Sequence, residues 1–174
     1  APVLFSSAGA GSSMHMNTER FKLMAQIPAT HVGFKGAPEA VLEVAAGRVH
    51  YTIAALVVAL PMIRDNRVLP LAVLSLQRSP ALPDVPVITE VFTNYGRDGS
   101  YCMLAPAGTP RDIIGRLNAE LNSALSDADW RAKFVTSAGI TPSGSTPEWF
   151  DQYIARDREG FSALTKSLGV KAPG

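Results

Sequence analysis

The stretch Gly9-Ala10-Gly11-Ser12-Ser13-Met14-His15 decides the fold, because it joins an apolar segment to a helical pattern. The apolar segment, Val3-Leu4-Phe5, is typical of a short strand, and apolar residues recur at helical spacing over residues 13–26. A strand, a glycine-rich turn and a helix form the layout that directs free backbone N–H groups at an anion. The loop lacks the Gly-Lys-Ser/Thr ending of a nucleotide P-loop, so the pattern favours a small anion such as a carboxylate.

The same stretch has a second, purely structural interpretation. Ser12 or Ser13 would then cap the helix, and the glycines would permit a tight turn. His15 falls at the third helical position if Ser12 is the cap. There it is either a donor to an anion at the mouth of a cleft or a plain surface residue, and position alone leaves both roles open.

Strand and helix patterns alternate through the first half of the chain. This alternation predicts an α/β fold, with a mainly parallel sheet flanked by helices. Ligands of such sheets bind at the carboxyl ends of the strands, where the glycine-rich loop lies. The later predicted strands are residues 30–34, 49–56, 68–75 and 101–104, and the later predicted helices begin near Pro38, Val58, Pro110, Asp127 and Pro147.

The second half of the chain begins with a proline-rich connector at residues 78–86, which excludes a helix or a central strand there. Thr109 is the predicted cap of the next helix, with Pro110 at its first helical position. The three helices that follow carry apolar stripes, which predict buried faces. Members of these stripes include Ile113, Leu117, Trp130, Phe134, Ile154 and Phe161.

Composition narrows the classes of function. The chain has 174 residues, of which 47% are hydrophobic, so it can bury a sizeable core. A net charge of +1 without a run of Lys or Arg gives no support to nucleic-acid binding. The longest apolar run, residues 53–60, is too short to span a bilayer. Because the chain starts without Met or a signal-peptide pattern, we expect a processed form or a piece of a longer protein.

Patterns typical of catalysis and of metal binding are missing from the sequence. Cys102 lies in a predicted apolar strand, where a buried thiol is usually inert. Because it is the one cysteine of the sequence, no intrachain disulfide can form. The three histidines show no metal-ligand spacing. Ser12 and Ser13 do not lie in a Gly-x-Ser-x-Gly elbow, and the carboxylates are not paired. The sequence therefore predicts a binding protein with no catalytic residue, no metal and no cofactor.

Four motifs, in order along the chain, match those of one receptor family. The chain resembles the extracytoplasmic solute-binding receptors of tripartite tricarboxylate transporters, the Bug family, from about Phe5 to Gly169. The matching positions are Gly9, Gly11, Ser12, Ser13, His15, Glu19, Phe21 and Lys22 in the first motif, residues 31–36 in the second, residues 78–86 with Glu90 in the third, and residues 104–110 with 116–118 in the fourth.

This resemblance implies a periplasmic-binding-protein fold of type II that closes two lobes around a small carboxylate in the periplasm. The implied ligand is a di- or tricarboxylate or an amino-acid-like molecule, and the implied partners are the membrane permease subunits of the transporter. The helix N-terminus after Gly11 would bind one carboxylate, and small residues after the third strand would shape the pocket. The expected ligand-binding residues are Gly9, Gly11, Ser12, Ser13, His15, Ala54 and Ala55.

Receptors of this family are longer than this chain. Residues 1–100 resemble the second, ligand-binding lobe, and residues 101–174 resemble the C-terminal return of the first lobe without its N-terminal strands. The fold expected is thus truncated relative to the two-lobed receptor, and a homodimer would cover helices that lack their sheet. His50 stands where the family usually has Asp, a change that bears on ligand preference.

Two other classes of function share the two-lobed α/β plan. One is a small-molecule-sensing effector domain of a regulator or signalling receptor, for which a helix-turn-helix ahead of the lobe would be the supporting observation. The other is an enzyme on the same fold, which would need a nucleophile or a base in a defined constellation.

Overall fold

A three-stranded parallel sheet organises the first half of the chain in the computed structural model, which describes residues 2–95 and 101–168. The strands are β1 (Val3–Ser7), β2 (Ala29–Gly33) and β3 (Tyr51–Thr52), in the order β2-β1-β3. Phe5 of β1 pairs with His31 of β2 on one side and with Tyr51 of β3 on the other. The central strand therefore belongs to the segment that precedes the glycine-rich loop.

Each strand is followed by a helix, as the alternation predicts, so the α/β fold with a parallel sheet flanked by helices is confirmed. The third helix begins two residues earlier than expected, and Pro61 consequently lies inside it. Further helices follow the proline-rich connector. The helices are α1 (Ser13–Ala25), α2 (Ala37–Ala45), α3 (Leu56–Arg64), α4 (Arg111–Ser126), α5 (Ala128–Phe134) and α6 (Pro147–Leu168), with short 3-10 helices at Ile88–Glu90 and Thr136–Ala138.

Alternate residues of β1 face opposite sides of the sheet, and a helix covers each side. The fully buried Phe5 ring stacks on the ring of His15 from α1. On the other side, the buried Ser6 hydroxyl donates a hydrogen bond to the carbonyl oxygen of Ala40 in α2, at 2.8 Å. Helices α1 and α2 thus sandwich the central strand, and both start at the same edge of the sheet.

Two predicted strands do not form. Residues 68–75 make only an isolated bridge, in which the Val73 N–H donates to the Pro86 carbonyl and the Ile88 N–H donates to the Val73 carbonyl, both at 2.9 Å. Residues 101–104 are exposed and form no strand with any described residue. The predicted strand at residues 49–56 shortens to Tyr51–Thr52. Apolar sequence alone did not make these strands, because a strand also needs a neighbour to accept its hydrogen bonds.

The proline-rich connector is fixed by one ion pair and by contacts with α1. Arg78 binds both carboxylate oxygens of Glu90, at 3.1 Å from its Nη2. Tyr95, which is 1% exposed, donates its hydroxyl to the Asn17 carbonyl at 2.6 Å, and Arg20 donates to the Tyr95 carbonyl at 2.8 Å. Tyr95, which follows the connector along the chain, therefore ties this part of the chain to α1.

The C-terminal helices bury less than their stripes predict. Helices α4 and α5 contain no fully buried residue, and Ile113, Leu117 and Phe134 are 46%, 45% and 54% exposed. Thr109 is not the cap of α4, because its hydroxyl donates to the Pro106 carbonyl and the helix has no side-chain cap. Helix α6 packs against α1 and α4. Residue 100, the predicted lobe boundary, and Gly169 lie outside the described residues.

Candidate functional site

The glycine-rich loop leaves β1 at the carboxyl edge of the sheet and adopts a conformation that requires glycine at two positions. Gly9 and Gly11 have φ angles of +104° and +78°. Side chains rarely adopt this left-handed region, since Cβ then crowds the following carbonyl oxygen. The two glycines therefore turn the chain tightly from the end of β1 into α1.

Ser12 caps α1, as the structural interpretation predicts. Its backbone is extended, and its Oγ accepts a hydrogen bond from the His15 N–H at 3.2 Å. The same hydroxyl donates to the Gly9 carbonyl at 2.7 Å. The Ser12 hydroxyl is thus already used within the loop, where it joins the turn to the first turn of the helix.

Two backbone donors remain without a protein partner at the start of α1. The N–H groups of Ser13 and Met14 make no hydrogen bond to any described residue, whereas those of His15 and Met16 bond to Ser12. The Ser13 side chain is exposed, and its hydroxyl also has no partner among the described residues. Unpaired N–H groups carry the positive end of the helix dipole, so this helix start is suited to an anion.

The His15 side chain is buried, so the plain-surface interpretation of this residue is wrong. It is 7% exposed, and its Nδ1 accepts a hydrogen bond from the Gly11 N–H at 3.1 Å. Its Nε2 lies 3.9 Å from a carboxylate oxygen of Glu19, one turn further along α1. The ring therefore faces the inside of the loop and the sheet.

The sequence interpretation considered His31 as a metal ligand and as part of the second motif, but missed its position beside the loop. Its ring lies 4.0 Å from the His15 ring, centroid to centroid, and 5.1 Å from the Phe5 ring. Its Nε2 lies 2.6 Å from the hydroxyl of the fully buried Ser7. That hydroxyl also accepts a hydrogen bond from the Gly9 N–H, at 3.2 Å. The alternation of β1 places Phe5 and Ser7 on one face, which was the signal that could have indicated this cluster.

Both of these histidines favour the neutral form. Burial lowers the pKa of His15 below its ordinary value; Glu19 raises it in part, and Lys22 lowers it. Burial likewise lowers the pKa of His31, and the positive charge of a protonated His15 would lower it further. Glu19 is itself paired with Lys22 at 2.6 Å. Two uncharged imidazoles therefore lie against the loop at neutral pH.

Tyr51 extends the same row of rings across the sheet. Its ring lies 5.8 Å from Phe5, on the side opposite His31. Its hydroxyl is buried and has no hydrogen-bond partner among the described residues. Burial, and after it the charge of Glu19, raises the pKa of this phenol.

Ala54 and Ala55 lie at the same edge of the sheet as the glycine-rich loop. They follow β3, the neighbour of β1, and Ala55 is the N-cap residue of α3. The N–H groups of Leu56 and Val57, in the first turn of α3, have no partner among the described residues. Parallel strands end at one edge, so the first turns of α1 and α3 both open there.

His50 lies away from this edge. It precedes β3 and exchanges two hydrogen bonds with Leu4, three residues before the end of β1. Its Nδ1 accepts from the Leu4 N–H at 2.9 Å, and its own N–H donates to the Leu4 carbonyl at 3.0 Å. An Asp carboxylate at this position could also accept a hydrogen bond from the Leu4 N–H.

The described ranges hold neither a metal-binding cluster nor a helix that could cross a membrane. Within residues 2–95 and 101–168, no group of three or more His, Cys, Asp or Glu side chains is placed to hold a metal ion. Cys102 is exposed, so the prediction that it is buried in a strand is wrong. In the same ranges, the helices are too short or too polar to cross a membrane.

The sequence matches one receptor family over nearly its whole length. Residues 2–170 match the profile of the tripartite tricarboxylate transporter family receptor. A UPF0065 protein in the tcbD-tcbE intergenic region of Pseudomonas sp. is 37% identical over 170 residues, which are 97% of this chain and 50% of that protein. The protein BugT of Bordetella pertussis is 29% identical, over 97% of this chain and 52% of its own length. The chain thus spans about half the length of the curated relatives it matches.

A solved structure shares both the fold and part of the sequence. The structure of R. palustris Rpa4515 with adipate superimposes with a TM-score of 0.88 at 28% identity. The superposition covers 97% of this chain and 56% of the other. The predicted periplasmic-binding-protein fold is therefore confirmed, in a chain that corresponds to a little over half of such a protein.

Proposed function

The chain belongs to the family of tripartite tricarboxylate transporter receptors, and from this membership we propose that it binds a small carboxylate at the carboxyl edge of its sheet. One observation carries the proposal. The N–H groups of Ser13 and Met14 are unpartnered at the start of α1, directly behind a loop that two left-handed glycines shape. An anion there would find two backbone donors, one free hydroxyl and the positive end of a helix dipole.

In this proposal each residue of the loop has a separate task. Gly9 and Gly11 let the backbone turn, and Ser12 caps the helix. Ser13 and Met14 donate to one carboxylate group of the ligand through their N–H groups, and the Ser13 hydroxyl adds a third donor. Hydrogen bonds to a charged group stabilise by roughly 1.5–3 kcal/mol each, and the helix dipole adds about 0.3–1 kcal/mol.

The other end of the ligand would lie towards Ala54 and Ala55. These small residues leave space rather than provide charge, and the first turn of α3 offers further N–H groups beside them. Because the chain spans about half of its relatives, we propose that a second lobe completes the binding cleft in a longer receptor. Closure of the lobes around a di- or tricarboxylate or an amino-acid-like ligand would then present it to membrane permease subunits in the periplasm.

The proposed role is that of a receptor and not of an enzyme. Receptor function needs donors and shape, which the loop and the two helix starts supply, and closure, which the proposed second lobe would supply. It needs no nucleophile.

Calorimetric titration of the 174-residue chain tests the proposal. The ligands are adipate, which Rpa4515 holds in its solved structure, and a panel of mono-, di- and tricarboxylates. The decisive variant is Ser13→Pro, because proline lacks the N–H yet is well tolerated at the first position of a helix. Ser12 already has the extended backbone, φ −64° and ψ 158°, that a residue before proline prefers.

We expect saturable heat with at least one carboxylate, and a graded loss in the variants. Ser13→Ala removes only the hydroxyl and should weaken binding about tenfold or more, because one charge-assisted hydrogen bond is lost. Ser13→Pro removes the N–H as well and should weaken binding further. Ser123→Ala, at an exposed serine of α4, is the matched control and should bind as the parent does. Equal affinity for the parent and Ser13→Pro would exclude this helix start as the binding site.

A further inference from the structure

We infer that His15 and His31 are positioning residues, which hold the glycine-rich loop in its anion-receiving form without touching the ligand. The inference rests on the proposed function only in naming an anion as the ligand of the loop. The hydrogen bonds that define it are present in the empty loop. It assigns to His15 a role different from the direct contact that the sequence predicts.

The first contact joins His15 to Gly11. The Gly11 N–H donates to Nδ1 of a ring that is 7% exposed. This bond directs the Gly11 N–H into the protein, away from the edge where a ligand would bind. It also requires an unprotonated Nδ1, because a protonated ring nitrogen has no lone pair to accept with. His15 therefore fixes Gly11 only in the tautomer that carries its proton on Nε2.

The second contact joins His31 to Gly9 through Ser7. The Ser7 hydroxyl lies 2.6 Å from Nε2 of His31 and accepts from the Gly9 N–H. Ser7 is fully buried at the end of β1, so it cannot exchange these partners for water. The two glycines with left-handed φ angles are thus each held by a side chain that belongs to, or contacts, the histidine pair.

The two contacts are coupled because the rings stack at 4.0 Å. The charged and titratable groups around the pair are Glu19 and Lys22 from α1, Tyr51 from β3, and the two imidazoles themselves. Within the described part of the chain, Glu19 is the one carboxylate among them, and Lys22 already pairs with it. A proton on either ring is therefore poorly compensated, and a proton on Nδ1 of His15 would place two donors face to face at Gly11.

Amide hydrogen exchange and NMR titration of the 174-residue chain test the inference without any ligand. The Gly11 amide should be protected in the parent, although it lies in a loop. In His15→Ala it should exchange about fivefold faster, as expected for the loss of one hydrogen bond. His15→Asn places an amide oxygen near the position of Nδ1 and should restore the protection. Equal exchange of Gly11 in the parent and His15→Ala would overturn the inference.

The acid titration of the parent provides a second measurement, which does not depend on any variant folding. The Gly11 amide shift should follow the protonation of His15, and the Gly9 amide shift should follow that of His31. The matched control is His50→Asn, which removes the third histidine but keeps an acceptor for Leu4, and both curves should be unchanged in it. Amide shifts at Gly9 and Gly11 that do not change with the protonation of either histidine would contradict the inference.

Binding of adipate then separates this inference from the proposed function. If the parent binds, His15→Ala should bind several-fold more weakly and His15→Asn should recover most of the affinity. A parent that binds and a His15→Ala variant that binds equally well would overturn the positioning role but leave the proposed function intact. A parent that binds no carboxylate would contradict the proposed function in this chain, whereas the exchange and titration data would still decide the role of the histidines.

Discussion

At the scale of single residues, adjacent serines serve different ends. Ser12 has both hydrogen-bonding functions of its hydroxyl occupied within the loop, whereas Ser13 has neither. The sequence predicted a cap and an anion site as competing interpretations of one stretch. The structure makes them compatible, because the cap uses one serine and leaves the other exposed.

Stability measurements should distinguish the two serines. Ser12→Ala should lower the free energy of unfolding by about 1 kcal/mol, because the N-cap bond to His15 is lost. Ser13→Ala should change it by less than about 0.5 kcal/mol, as is usual for an exposed side chain without partners. Urea denaturation followed by circular dichroism gives both values. A larger effect at Ser13 than at Ser12 would contradict the assignment of the cap.

The histidine pair predicts how stability depends on pH. Because burial lowers the pKa of His15 and His31, the unfolded chain binds more protons than the folded chain below about pH 6.5. The free energy of unfolding should therefore be constant above that pH and fall as the pH drops towards the lowered values. Urea titrations at pH 7.5 and 5.5 measure the fall. The difference should shrink in a His15→Asn, His31→Gln double variant and persist in His50→Asn.

Contacts between neighbouring residues were predicted from the sequence, whereas contacts between distant residues were not. A serine cap, at Ser12 or Ser13, followed from local rules, because a cap involves residues three apart. The contact of His31 with Ser7 joins residues 24 apart and depends on the register of β1 with β2. No local pattern encodes that register, so the histidine pair was missed.

At the scale of elements, helices were predicted better than strands. Helix hydrogen bonds are internal, so periodicity and end signals suffice, and α1 begins and ends within one residue of the prediction. Strand hydrogen bonds need a neighbour. Residues 68–75 form only the isolated bridge between Val73 and Val87, and residues 101–104 form no strand with any described residue, although both segments are apolar.

Two glycines, one with a positive φ angle and one inside a helix, test the assigned backbone conformations. A Cβ added to Gly47 or to Gly115 would meet no atom within 4 Å, so only the backbone distinguishes them. Gly47 follows α2 with a φ of +70°, and Gly47→Ala should destabilise by about 1 kcal/mol. Gly115 lies inside α4, and Gly115→Ala should stabilise by about 0.5–1 kcal/mol. Thermal melts of the two variants should shift in opposite directions, and shifts of the same sign would contradict the assigned conformations.

At the scale of the whole molecule, the chain exposes more surface than a compact protein of its size. Its accessible surface is 11249 Å², whereas a compact monomer of 18.5 kDa has about 8200 Å². Large apolar side chains contribute, with Leu104 76% and Phe134 54% exposed. The chain also spans about half the length of the curated relatives it matches.

We therefore expect the isolated chain to associate with itself. Sedimentation velocity should show a weight-average mass that rises with concentration, because exposed apolar patches of separate copies bury each other. Replacing Ile113 and Leu117 of α4 by Gln should reduce the association. Ala119→Gln, elsewhere on the exposed surface of α4, is the control. A mass that stays at 18.5 kDa at all concentrations would contradict this expectation.

The central claim is that the start of α1 receives a carboxylate, and an amide NMR titration with adipate tests it most directly. The account predicts saturable shifts that are largest at the amides of Ser13 and Met14, the two donors at this helix start without a partner among the described residues. In Ser13→Pro, which lacks the first of these amides, the remaining shifts should need more adipate to saturate. Saturable shifts centred on another part of the chain, with Ser13 and Met14 unmoved, would contradict it.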